Sequence, residues 1–125
     1  MRMQIELEDG FATHAEVPGM KSVILCDRGI MDGRVYSGEF LWQAIMDMTG
    51  YSLVQLRDLR YDCVIHMCTC AEGAEEYYGF ENNESRYEDL NAAKSIDVAG
   101  MNCWVGRPEL TIVDNHRVSN FEEKI

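Results

Sequence analysis

The sequence predicts an α/β fold in which helices connect the strands of a parallel sheet. Three short apolar runs, rich in branched residues, have the composition of buried strands. They are SVILC at 22–26, DCVIHMCTC at 62–70 and ELTIVDN at 109–115. Segments with helical spacing lie between the runs, and this alternation is typical of parallel strands joined by crossover helices.

The first predicted helix begins at the amino terminus, where apolar residues recur every four positions and would form one stripe. The stripe consists of Met3, Leu7, Phe11 and Ala15. Pro18 and Gly19 are expected to end this helix.

Helical spacing also predicts a second helix, from Gly38 to Met48. Its expected apolar face is Phe40, Leu41, Ala44, Ile45 and Met48. Ser52 is the expected N-cap of a short helix over 53–59. The region from Glu72 to Asp97 is dense in Glu, Asn and Tyr and has no strong apolar face, which predicts a solvated helix or a flap rather than core.

Length and charge restrict the classes of function. The 125 residues have the size of one domain, 1–125. With 22 acidic against 11 basic residues the formal charge is −11, so a nucleic-acid backbone would be repelled. No apolar run is long enough to span a membrane, and an odd number of cysteines fits a disulfide framework poorly. We expect a soluble, cytoplasmic protein with no nucleic-acid partner.

The first predicted strand ends in a polar cluster, Asp27-Arg28-Gly29, and Asp32 follows it. In open parallel sheets ligands bind beyond the carboxyl ends of the strands, where this cluster would lie. Asp27 could hold Mg²⁺ or accept a proton, and Arg28 could neutralise phosphate. Gly29 would allow a sharp turn. The alternative is that the two aspartates cap the next helix and Arg28 pairs with one of them.

Residues with metal-binding chemistry alternate along the second predicted strand. They are His66, Cys68 and Cys70, with Cys26 expected on a neighbouring strand. Imidazole and thiolate can bind zinc. A strand, however, holds residues i and i+2 about 7 Å apart at Cα, whereas structural zinc usually takes two cysteines from one turn. Cysteines buried in the core are therefore the favoured interpretation, and zinc is the alternative.

Longer motifs resemble a known family. The most specific are CDRGIMD at 26–32 and AEGAEEYYGFENNESRYE at 71–88, and WVGRPELTIVDN and NFEEKI follow them in order. Together they resemble the P-loop kinase-like, AAA-type domain shared by the NadR ribosylnicotinamide kinase and the TRPL translocation defect protein. More distantly, the strand ending in Asp-Arg is similar to the corresponding motif of thymidylate kinases.

The resemblance implies a P-loop NTPase-like three-layer α/β fold that binds ATP or GTP with Mg²⁺. It implies that Asp27 is a metal ligand or catalytic carboxylate. Arg28 would contact substrate or phosphate, and Asp32 would lie on the acceptor side.

The resemblance also implies a helical lid, at about 71–97, that closes over the phosphates. Arg86 would be its phosphate-contacting residue, because Lys94 is the only other cation in this segment. Asp114 and Asn115, at the end of the last strand, fall where such domains place the nucleotide base.

One part of the family pattern is missing from the sequence. A phosphate-binding loop needs G-x-x-x-x-G-K-[ST] between a strand and a helix, and the chain contains no such string. We therefore expect the chain to match the middle of a larger protein, an incomplete P-loop domain. Because the missing strand is central in the family's sheet, we expect the chain alone to be marginally stable unless its two neighbouring strands close up or a partner supplies the missing one.

Three functions are compatible with the sequence. The first is a small-molecule kinase that transfers the ATP γ-phosphate to a nucleoside-type hydroxyl. The second is a regulatory or trafficking-related nucleotide-binding module, with GTP and a phosphoinositide membrane as implied partners of the intact form. The third is an incomplete domain with no nucleotide affinity of its own. The second is favoured for the intact protein and the third for these 125 residues alone.

Overall fold

The computed structural model describes residues 1–78, 89–116 and 121–124 of the chain. Two compact units divide it, Met1–Arg60 and Tyr61–Ile125. None of the described helices combines the length and the apolarity that crossing a bilayer requires.

The first unit contains two long helices and a short π-helix. Helix α1 spans Arg2–Ala15, helix α2 spans Asp32–Thr49, and the π-helix spans Val54–Asp58. At Gly38, inside α2, φ is 75° and ψ is 161°, so α2 consists of two helical stretches that meet at a kink. Gly50 ends α2 in a left-handed conformation that glycine adopts without strain.

Ser52 begins the short helix as the sequence predicts. Its hydroxyl accepts a hydrogen bond from the Gln55 N–H at 3.2 Å, and the Gln55 side-chain oxygen accepts one from the Ser52 N–H at 2.8 Å. This exchange is a capping box, which satisfies two N–H groups that the helix leaves unpaired.

The predicted apolar faces of α1 and α2 are mostly exposed, and only Ala15, Ala44 and Ile45 of them are half-buried. Met3, Phe11 and Phe40 are 75, 63 and 92 % exposed, whereas Ile5 and Trp42 are buried. The buried apolar residues of this unit are Ile5, Ile30, Met31, Trp42 and Leu56. Spacing along a helix identifies a stripe, but which stripe is buried depends on the segments that pack against it.

The predicted strand at 22–26 is also wrong, because these residues form neither strand nor helix. Val23 and Leu25 are 85 and 90 % exposed. An extended segment becomes a strand only when its N–H and C=O groups meet a neighbour. No described residue pairs with the backbone of 22–26.

Arg60 connects the end of the first unit to α1. Its guanidinium donates to the Ile5 carbonyl at 3.0 Å and to the Asp9 carboxylate at 2.8 Å, and it also pairs with Glu8. The Arg60 side chain is only 14 % exposed. Glu8 and Asp9 lie one turn after Ile5 on α1, so Arg60 fixes this helix against the end of the unit.

The second unit contains a parallel pair of strands, β1 at Val64–Met67 and β2 at Leu110–Val113. Val64 faces Leu110 and Met67 faces Val113. Hydrogen bonds from the Val64 N–H to the Glu109 carbonyl and from the Cys68 N–H to the Val113 carbonyl extend the ladder. The second and third predicted strands are therefore confirmed, with shorter bounds.

The described part of this unit contains the helices α3, Leu90–Trp104, and α4, Phe121–Lys124, and a 3₁₀ turn at Glu75–Tyr77. The Asp89 side chain caps α3. The predicted lid at 71–97 overlaps the first half of α3, and its residues 79–88 lie outside the described chain.

The buried centre of the second unit includes one aromatic pair. Trp104, which is 3 % exposed, meets the ring of Tyr61 edge-on with centroids 5.6 Å apart. Ala71 and Arg107 are also buried, and the Arg107 guanidinium donates to the Tyr61 carbonyl. Edge-to-face packing is favourable because the positive ring edge meets the negative face.

Leu56 and Leu59 provide a matched test of the buried core of the first unit. Leu56 is 1 % exposed and Leu59 is 74 % exposed, three residues away. Leu56→Ala is expected to lower the free energy of unfolding by about 2–5 kcal/mol, because it removes buried methyl groups and leaves a cavity. Leu59→Ala is expected to change it by less than about 0.5 kcal/mol. Urea denaturation measures both, and equal losses would contradict the core.

Glu75 gives a pH-dependent prediction. Its hydrogen bond to the Lys94 ammonium, at 3.0 Å, lowers the pKa of this carboxyl from 4.5 to about 2. The contact therefore contributes stability above the ordinary carboxyl pKa and loses it as the pH falls toward 2. Carboxyl NMR titration of Lys94→Gln should show the Glu75 midpoint moving up, and Lys21→Gln should leave it in place. A Glu75 midpoint that is the same in all three proteins would refute the contact.

Candidate functional site

The candidate site of the first unit is the turn that precedes α2. Arg28 in this turn has φ of 80°, the only left-handed conformation among the described residues other than glycine. An L side chain in this region costs about 1–3 kcal/mol, so the surrounding contacts must impose it. Such strain is concentrated at binding and catalytic sites.

Three hydrogen bonds hold the turn. The Asp32 carboxylate accepts from the Gly29 N–H and the Asp32 N–H donates to the Gly29 carbonyl, both at 3.1 Å. The side-chain amide of Gln4, on α1, donates to the Arg28 carbonyl at 3.2 Å. Ile30 is buried next to the turn. Asp32 therefore shapes the backbone that carries Asp27 and Arg28.

Two charged groups of the turn face solvent. Asp27 and Arg28 are both exposed, and no described residue forms an ion pair with either. The Arg28 guanidinium carbon lies 5.8 Å from the centroid of the Tyr36 ring, within range of a cation–π interaction. Pairing of Arg28 with an aspartate, the alternative from the sequence, is not seen among the described residues.

The backbone N–H groups at the start of α2 already donate hydrogen bonds within the chain. The N–H groups of Asp32, Gly33 and Arg34 donate to carbonyls three residues earlier, at 3.0–3.1 Å. A helix start binds anions through free N–H groups. In this turn the capacity to bind phosphate therefore rests with the Arg28 side chain, while Asp27 offers the carboxylate oxygen that Mg²⁺ requires.

In the second unit, Asn115 holds the loop that follows β1. Its amide nitrogen donates to the carbonyls of Thr69 and Glu72, at 2.8 and 2.6 Å. Its amide oxygen accepts from the Lys124 ammonium at 2.7 Å. Both ends of the Asn115 amide are thus engaged, so contact with a nucleotide base would require it to exchange one of these partners.

Asp114 lies beside Asn115 and is half-buried. Its carboxylate accepts a hydrogen bond from the His116 N–H at 2.9 Å, which turns the chain after β2. Asp114 and Asn115 therefore share one strand end, as the sequence predicts, whereas Asp27, Arg28 and Asp32 belong to the first unit. Arg86 lies outside the described residues.

His66 and Cys68 are brought together with a residue that sequence reasoning placed in the lid, Asp97 of α3. Their ligand atoms, together with that of Asp97, all lie within 4.8 Å of one another. This cluster does not include Cys70 or Cys26. Burial and the Asp97 charge raise the pKa of the Cys68 thiol, and the nearby Lys124 charge opposes them.

The sequence around Asp97 contains a helical pattern, but the polar composition of the segment at 72–97 favoured a solvent-exposed interpretation. Asp97, Gly100 and Trp104 follow helical spacing along one face of α3. A Cβ built at Gly100 would lie 3.9 Å from the His66 ring, at van der Waals distance, so this face of α3 lies next to His66. The acidic surroundings of Asp97 made this face look solvated.

Comparison with known proteins finds one family. The chain matches the AAA domain over residues 1–123. No curated protein and no solved structure matches it. The small parallel sheet with helices is consistent with the α/β fold of P-loop NTPases. The chain therefore belongs to the AAA domain family, whose P-loop NTPase-like domains bind nucleotides.

Proposed function

We propose that the chain supplies the acid and arginine of a Mg²⁺-nucleotide site in a regulatory or trafficking-related protein of the NadR and translocation-defect type. The observation that carries this proposal is the left-handed backbone conformation of Arg28. Hydrogen bonds of Gln4 and Asp32 hold the turn that contains it. The charged side chains of Asp27 and Arg28 are exposed to solvent. This backbone conformation is energetically costly, and it presents two charges that form no ion pair with any described residue. A bound ligand would explain why the fold maintains it.

Each charge has a separate role in the proposal. Arg28 neutralises the phosphates, because its planar guanidinium can donate two parallel hydrogen bonds to phosphate oxygens. Asp27 contributes one oxygen to Mg²⁺, which is usually bound by one or two carboxylates and the phosphates themselves. Asp32 acts through Gly29 and is a positioning residue rather than a ligand.

Exposure of the turn favours binding over phosphoryl transfer. Transfer to an acceptor other than water requires a site that excludes water. Asp27 and Arg28 are exposed among the described residues, and the open depression of this unit, about 470 Å³, is lined elsewhere, by residues including Trp42 and Tyr51. The second candidate is a kinase that phosphorylates a nucleoside-type hydroxyl. That function would require the lid to close over the turn and exclude water.

The sequence limits what these 125 residues do alone. They contain no G-x-x-x-x-G-K-[ST] string, which is the usual backbone cradle for phosphates. We expect weak or no nucleotide affinity without it. GTP or ATP with Mg²⁺ is the proposed ligand, and a phosphoinositide membrane and a cytoplasmic location are proposed for the intact protein. The net charge of −11 makes these residues poor contacts for anionic lipid.

Nucleotide titration of the full product of the gene tests the proposal. Fluorescent GTP and ATP analogues should bind in the presence of Mg²⁺, without phosphate release or transfer above background. Asp27→Asn and Arg28→Gln should each weaken binding by about 10-fold or more, the effect of losing a contact to a charged group. Arg34→Gln is the matched control, because Arg34 is paired with Glu39 and should leave affinity unchanged.

The Arg28→Gly variant distinguishes the backbone strain at position 28 from the contribution of the Arg28 side chain to ligand binding. Glycine adopts positive φ freely, so this variant should be more stable than the natural chain by about 1 kcal/mol while it binds nucleotide more weakly. Unchanged affinity in Asp27→Asn and Arg28→Gly would refute the proposed site. Rapid transfer of phosphate to a nucleoside would instead identify the kinase.

A further inference from the structure

The cluster of His66, Cys68 and Asp97 combines three kinds of metal ligand from two elements. His66 lies on β1 and Cys68 follows the end of that strand, on the same face, while Asp97 lies on α3. All three are half-buried, and their ligand atoms lie within 4.8 Å of one another. The nucleotide proposal makes no use of these residues.

The imidazole shows the clearest sign of a missing partner. His66 Nε2 is buried, and no described residue forms a hydrogen bond with it. Its separation from Asp97 Oδ1 is 3.5 Å. Two ligands at a tetrahedral zinc lie about 3.3–3.4 Å apart when each bond is about 2.0–2.1 Å. The imidazole and the carboxylate are thus already spaced as zinc ligands are.

Neighbouring groups hold the three ligands in place. The Thr69 N–H donates to Asp97 Oδ1 at 3.0 Å, the kind of outer contact that orients a ligating carboxylate. The Lys124 ammonium donates to the Cys68 carbonyl at 2.7 Å and fixes the backbone there. The Cys68 sulfur lies within 4.8 Å of the other two ligand atoms.

We propose that His66 Nε2, Cys68 Sγ and a carboxylate oxygen of Asp97 bind one Zn²⁺, with water as the fourth ligand. Imidazole and thiolate select zinc over Mg²⁺ and Ca²⁺, which prefer oxygen ligands. Binding replaces the Cys68 S–H bond by a sulfur–zinc bond and releases that proton to solvent. The site clamps α3 to the end of β1 and is separate from the proposed Mg²⁺ position at Asp27.

Zinc affinity should therefore rise with pH. The Cys68 thiol must lose its proton and His66 must be neutral before either binds metal. Burial and the charges of Asp97 and Asp114 raise the pKa of the Cys68 thiol, and the Lys124 charge lowers it. The metal competes with one proton at Cys68, so binding at low pH is weakened.

Titration of the full chain with Co²⁺ and Zn²⁺ tests this site, with no nucleotide or Mg²⁺ present. One Co²⁺ should bind, with the intense absorption of a thiolate–cobalt bond, and Zn²⁺ should displace it and raise the thermal midpoint. Cys68→Ser should remove the absorption. Asp97→Asn and His66→Gln should keep it but weaken binding by about 10-fold or more. Cys63→Ser and Cys70→Ser are the controls, and should change nothing.

X-ray absorption of the zinc-loaded natural chain tests the ligand set without any substitution. One sulfur at about 2.3 Å and three nitrogen or oxygen ligands at about 2.0–2.2 Å are expected. Two or more sulfurs, no metal bound per chain, or cobalt absorption that survives Cys68→Ser would overturn the proposal. Because nucleotide is absent, neither result depends on the proposed nucleotide site.

Discussion

The parallel pairing of β1 with β2 is the contact on which the second unit depends. Four residue pairs from Val64–Leu110 to Met67–Val113 bring the carboxyl ends of both strands to one edge. At that edge the loop after β1 meets the end of β2, where Asn115 bonds its backbone. Asp97 reaches the same edge from α3. One short ladder thus gathers side chains that are far apart in sequence.

The first unit meets a different constraint, since its described residues form helices and no strand. Its turn is instead defined by local hydrogen bonds between Gly29 and Asp32, by Gln4 from α1, and by the buried Ile30 and Met31. These contacts impose the left-handed backbone conformation of Arg28, which is unfavourable without them. Charged side chains are therefore presented by strand pairing in the second unit and by hydrogen bonds around one turn in the first.

Sequence reasoning succeeded where the determining interactions are local or repeat along the chain. The strands around His66 and Ile112, the capping by Ser52 and the existence of α1 and α2 follow from such patterns. It failed at 22–26, because a strand requires a neighbour that composition does not reveal. It missed Asp97 as a partner of His66, because only the packing of α3 on β1 brings them together.

The central claim is that the turn from Asp27 to Asp32 binds Mg²⁺-nucleotide in the full product of the gene. Hydrogen–deuterium exchange with and without Mg²⁺-GTP or Mg²⁺-ATP tests it most directly. Bound nucleotide should slow exchange in peptides covering 27–34, because a phosphate held by Arg28 would restrict opening of the turn. Saturating nucleotide that protects other segments and leaves 27–34 unchanged would contradict the claim.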